Sequence, residues 1–69
     1  MPMEKLDKRF GTVATEKGFI TIEHLFEAMK IQILEGLDGD KHRVIGQILW
    51  EKGYMNTKQI NEVLKSMGV

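Results

Sequence analysis

The chain has 69 residues, room for a single domain that buries only about 60% of its unfolded surface, so the core is small and every apolar residue matters. Ten Lys and Arg balance ten Asp and Glu with the signs interspersed, so no one-signed field is available to grip a phosphate backbone. With no cysteine there is neither a disulfide framework nor a thiolate metal site, and no apolar run has the length of a signal or membrane segment. The expectation is a cytoplasmic protein without membrane insertion.

The first predicted helix runs from about Pro2 to Lys17. Pro2 suits a first turn, where its missing N–H costs nothing, and Leu6, Phe10, Val13 and Lys17 recur at helical spacing. Gly18 supplies the left-handed residue that ends a helix, with Phe19 placed to fold back on Ala14. Thr21 is the expected N-cap of the second helix, and Ile20 packs on Leu25 as a staple. That helix is predicted to bury Ile22, Leu25, Phe26, Met29 and Ile33 and to reach about Leu37, where Asp38-Gly39-Asp40 breaks it.

The third helix is expected over about Lys41 to Lys52, with Ile45, Ile48 and Leu49 facing inward. Gly53 and Tyr54 repeat the Gly18 and Phe19 arrangement, now against Leu49. Asn56 caps the fourth helix, and Gln59 completes a capping box with it, a stronger start signal than His24 gives the second helix. Met55 and Ile60 form the second staple. Ile60, Val63, Leu64 and Met67 make the last apolar stripe before Gly68.

Sliding the chain against itself by 35 positions lays Gly11 on Gly46 and Glu16-Lys17-Gly18 on Glu51-Lys52-Gly53. Around those identities Phe10 meets Ile45, Val13 meets Ile48, Phe19 meets Tyr54, Leu25 meets Ile60 and Met29 meets Leu64. The prediction is an all-α domain spanning 1–69, built as two pseudo-repeated helical hairpins, about 2–37 and 41–69, packed on one four-helix core.

Arg9-Phe10-Gly11, then Ala14, Leu25, Met29 and Gln32, have an order and spacing that resemble the R-L-G, L, L, L, Q repeat in N-terminal domains of type II secretion and type IV pilus assembly ATPases. Ile45-Gly46, Leu49, Ile60 and Leu64 fall on the same spacing, with Val44 in place of the arginine and Met67 in place of the glutamine. The resemblance implies a helical regulatory domain. Because that family includes binders of cyclic di-GMP, it also implies a cyclic dinucleotide ligand at Arg9, Gly11 and Gln32.

Read for their own chemistry, a guanidinium at Arg9 can stack on a base or fork to a phosphate while the Gln32 amide reads a base edge. The competing reading is a surface arginine and a partly exposed glutamine. Lys41, His42 and Arg43, expected near a helix start, suit an anion, or are solvated side chains beside an Asp40 cap. Val44, Trp50, Ile31 and Leu34 exceed what one narrow stripe needs. They either close the core between the hairpins or form a patch for a protein partner or a second copy.

Other chemistries find little footing. A calcium loop starting at Asp38 would need Glu where Leu49 stands, and His24 and His42 lie on different helices without companions at metal spacing. The only serine is Ser66, and no histidine accompanies it in a motif, so no enzyme and no cofactor are expected. A DNA-reading helix needs basic companions, whereas Ile22 to Leu37 carries Glu23, Glu27 and Glu35 against Lys30. Docking on a protein partner is the leading expectation, with cyclic dinucleotide sensing as the alternative.

Overall fold

In the computed structural model, residues 5–39 and 43–68 are described. Pro2, Asp40, Lys41 and His42, and the side chain of Leu6, fall outside the described residues. Four helices follow one another: α1 (Lys5–Glu16), α2 (Ile22–Asp38), α3 (Ile45–Glu51) and α4 (Thr57–Ser66), with no strand among the described residues. The predicted all-α architecture is therefore what the chain adopts.

The hairpin turns form as the glycine positions anticipate. Phe19 N–H donates to the Ala14 carbonyl at 3.1 Å across Gly18, whose φ of 77° only glycine adopts without strain. Tyr54 N–H donates to Leu49 at 2.9 Å across Gly53, at φ 81°. Both second helices open on a full capping box. Asn56 Oδ1 accepts from Gln59 N–H at 2.8 Å, and Thr21 Oγ1 accepts from His24 N–H at 3.2 Å. His24 completes its box, because its Nδ1 accepts from Thr21 N–H at 3.3 Å, so an imidazole does the work that the Gln59 amide does in α4.

The core consists of Phe10, Ala14, Ile20, Leu25, Ala28, Ile45, Ile48, Leu49, Met55, Val63 and Met67. Three expectations are corrected. In α1 the buried face is Asp7, Phe10, Gly11 and Ala14, while Val13 is only half-buried and Lys17 is exposed. These four positions follow the i, i+3, i+4, i+7 pattern, shifted from the expected stripe. An alanine or glycine every turn lets neighbouring helices approach closely, and a Cβ added at Gly11 would sit 2.6 Å from Leu25 Cδ1.

In α2 the buried positions are Leu25 and Ala28, whereas Ile22, Phe26 and Ile33, expected in the core, are exposed together with Leu34 and Leu37. This helix is apolar on two arcs, and the arc around Ala28 turns inward. At 100° per residue, that leaves Ile22, Phe26, Ile33 and Leu37 on one outward strip. Third, α3 starts at Ile45, not near Lys41. Arg43 precedes the helix, and Val44, its N-cap, has an extended backbone and no side-chain cap bond.

The hairpins are interlocked. α2 packs more extensively on α3, and α1 on α4, than the two helices of either hairpin pack on each other. Lys52 Nζ lies 3.0 Å from Glu27 Oε2, and Lys17 Nζ lies 3.8 Å from Glu62 Oε2. Lys17 and Lys52 are 35 positions apart, as are Glu27 and Glu62, so the two bridges are consistent with the duplicated unit seen in the sequence. Exposed pairs of this kind add little stability. What they show is that each turn is clasped by the second helix of the other hairpin.

One clasp is richer than its counterpart. Tyr54 stacks on the His24 ring at 4.0 Å between centroids, and its hydroxyl donates to Glu27 Oε1 at 2.7 Å. That hydrogen bond, followed by the bond to Lys52, holds the Glu27 carboxyl below its ordinary 4.5. The same bond to Glu27, followed by burial, raises the Tyr54 phenol above its ordinary 10.0. A raised phenol stabilises the fold below pH 10 and loses that contribution as pH climbs through the folded value. The lowered carboxyl contributes above 4.5 and loses its share as pH falls through its folded value. Because Tyr54 is the single tyrosine, an ultraviolet absorbance titration reads it alone. The expected midpoint lies above 10, and Glu27→Gln brings it down toward the ordinary value. An unchanged midpoint in the variant would show that the carboxylate does not hold the phenol.

Candidate functional site

Among the described residues Asp7 is the buried carboxylate, 6% exposed on the inward face of α1. A charge there needs a partner, and the Gln32 amide supplies it: Nε2 donates to Asp7 Oδ2 at 2.7 Å and to the Arg43 carbonyl at 3.2 Å. Both hydrogens of that amide are thereby engaged, and Oε1 is buried without a hydrogen-bond partner. Gln32 thus ties α1, α2 and the residue leading into α3 into one polar clip. The Arg43 guanidinium completes it from the outside, with Nε donating to both Glu35 oxygens at 3.1 Å, Nη2 to Glu35 and Nη1 to Glu51. The hydrogen bonds with Glu35, against some burial, hold the arginine above its usual pKa.

Against this geometry the residues singled out from sequence separate. Arg9 is exposed on α1, Gly11 is buried against Leu25, and Gln32 and Arg43 belong to the clip; Lys41 lies outside the described residues. Gln32 and Arg43 therefore come together, but through carboxylates and a carbonyl, with Arg9 taking no part in those bonds. Of the apolar four, Ile31 packs partly buried against the core, Leu34 is exposed on α2, and Val44 and Trp50 are each about half exposed, at 52% and 51%.

Val44 and Trp50 belong to a groove of about 320 Å³ between α1, α3 and α4. Its walls are Phe10, Val44, Gly46, Trp50, Ile60 and Leu64, with Asp7, Gln47 and Thr57 as the polar members. Gly46 lets the Phe10 ring lie directly against the α3 backbone, since a Cβ there would stand 3.1 Å from Phe10 Cζ. Trp50 projects here because α3 buries Ile45, Ile48 and Leu49 elsewhere, which leaves position 50 at the margin. Its partner in the 35-residue shift is Thr15, a small polar residue that could not wall a groove.

Sequence reasoning found Val44 and Trp50 but missed the other walls and Asp7. The signal for Asp7 was its place three residues before Phe10, in line with Gly11 and Ala14. The signal for Ile60 and Leu64 was that they fall at the edge of the α4 stripe centred on buried Val63. Among the described residues no cluster of three or more His, Asp or Glu could hold a metal ion, and no helix is long and apolar enough to cross a membrane. Compared with protein-family models, with curated proteins and with solved structures, the chain matches none of them.

Proposed function

We propose that this protein is a non-catalytic helical docking module that receives an apolar segment of a protein partner in the groove beside Trp50. The observation that carries the reading is a half-exposed tryptophan standing over an apolar groove of about 320 Å³. Tryptophan is the residue most enriched where binding energy concentrates, because one side chain brings large contact area at small entropy cost. Asp7 gives the groove its one charged wall, which favours a partner side chain that donates a hydrogen bond or carries positive charge. A likeness to the N-terminal domains of secretion and pilus ATPases fits such a role, since those too are helical regulatory units.

The alternative, sensing of a cyclic dinucleotide, has less support. Of its two reading groups the Gln32 amide is spent on Asp7 and a carbonyl, while Arg9 stands exposed on α1, and the Arg43 guanidinium proposed for an anion is spent on two carboxylates. A groove whose charged member is an aspartate also repels phosphates. DNA binding remains disfavoured by the balanced charge.

A photo-crosslinking residue at Gln47, exposed on the groove rim, gives the test. The expected result is one defined protein adduct in cells, and titration of that protein moves Trp50 emission to the blue. Trp50→Ala keeps the helical spectrum, because half the ring is already in water, and weakens binding about 30-fold, the effect of a hot spot of about 2 kcal/mol. An adduct that forms equally well in Trp50→Ala rules the groove out. Amide shifts near Arg9, Gly11 and Gln32 on adding cyclic di-GMP would favour the sensor instead.

A further inference from the structure

Asp7 is provided with less than its burial demands. One carboxylate oxygen, Oδ2, accepts from Gln32 Nε2 at 2.7 Å, whereas Oδ1 accepts no hydrogen bond and the side chain has no ion pair among the described residues. Arg43, whose carbonyl shares the Gln32 amide, turns its guanidinium to Glu35 and Glu51 instead. A neutral amide thus serves one of about four acceptor positions on a carboxylate and leaves its charge without compensation. A buried charge of this kind is costly unless a cation joins it.

The spare oxygen is within reach from outside. Among the described residues Gln32 Oε1 is the only fully enclosed side-chain oxygen or nitrogen without a partner, so the equally unpartnered Asp7 Oδ1 keeps some access, and the open surface that Asp7 lines is the groove. Its other polar members, Gln47 and Thr57, carry no charge, and Phe10, Val44, Trp50, Ile60 and Leu64 are apolar. A cation beside Asp7 is therefore screened less than one on an open surface. Lysine and arginine suit such a place, because their methylene stems pack on apolar walls while the charged head reaches the carboxylate.

We propose that the groove recognises a peptide segment of a partner protein in which one lysine or arginine stands among apolar residues, a specificity that rests on the docking role above. The cationic head bonds to Asp7 Oδ1, and the apolar neighbours pack against Trp50, Ile60 and Leu64. A wholly apolar segment is discriminated against because it covers the carboxylate without compensating it, and an acidic one is repelled.

Random peptides displayed on phage, selected on the full wild-type chain and counter-selected on Trp50→Ala, provide the test. The expected survivors are rich in Leu, Ile and Phe and carry one Lys or Arg at a fixed place. A synthetic peptide of the commonest survivor is expected to lose affinity for the wild type by about tenfold or more when norleucine replaces its basic residue. Asp7→Asn, which keeps an acceptor for Gln32, is expected to bind the two peptides alike. The norleucine exchange leaves the protein untouched, so it reads the charge whatever Asp7→Asn does to the fold. Survivors without a basic residue, or a norleucine exchange without effect, overturn the cationic requirement and leave the groove reading standing. So does an Asp7→Asn chain that folds and still prefers the basic peptide. A selection that yields no Trp50-dependent peptide overturns both. A free chain heavier than 7.9 kDa in sedimentation equilibrium, with the excess lost in Trp50→Ala, would make a second copy the occupant and overturn the inference as well.

Discussion

Leu49→Ala is expected to leave a chain without stable helical structure at room temperature. Leu49 is completely buried at the centre of α3, which packs against all three other helices, so no surface can relax into the space the substitution vacates. Removing a buried leucine of this kind costs about 2–5 kcal/mol, partly from lost transfer free energy and partly from the cavity. A 69-residue domain without cysteine, and so without disulfides, has about 3–5 kcal/mol to lose. Far-UV circular dichroism with urea titration reads the result. A cooperative transition displaced by less than about 1 kcal/mol would mean that the core reorganises around position 49, contrary to the tight packing described above.

The second large effect concerns the polar clip. Gln32→Met keeps the side-chain volume and copies the residue that Met67 places at the equivalent position of the second unit, yet it strips the buried Asp7 carboxylate of its donor. The expected loss is about 2–3 kcal/mol, because an unsatisfied buried charge costs more than the bond it once made. Adding Asp7→Leu to that variant removes the stranded charge, and the double variant is expected to recover about half of the loss or more. What stays lost is the bond to the Arg43 carbonyl. A double-mutant cycle measured by chemical denaturation separates the two contributions. Additive losses would show that Asp7 does not depend on Gln32.

Much of the fold is legible in the residues because local signals agree with one another. Gly18 and Gly53 stop helices where their left-handed backbone is needed, Thr21 and Asn56 restart them, and the buried positions of α3 and α4 lie on the stripes that periodicity marks. The face of α2 was not legible, since apolar residues occupy two of its arcs and periodicity alone gives no reason to prefer one. A clue lay in the duplication: Ile22, Phe26 and Ile33 correspond to Thr57, Asn61 and Gly68, and positions that tolerate polar residues or glycine in one copy do not face the shared interior.

The start of α3 was misplaced for a tertiary reason. Arg43 is drawn out ahead of the helix by bonds from residues far along the chain, with Gln32 taking its carbonyl and Glu35 and Glu51 its guanidinium. The same long-range contacts hid the groove. Val44 and Trp50 stood out as surplus apolar residues, but only the approach of α1 and α4 turns them into a concave surface with Asp7 at its edge.

The crossed packing of the hairpins means that neither half owns an interior. A proteolytic nick between Gly39 and Arg43 would release two peptides, each deprived of the surface on which its better-supported helix rests. Such fragments are expected to stay unstructured apart and to regain helicity only on meeting, and the intact chain is expected to melt in one cooperative step, read by thermal circular dichroism.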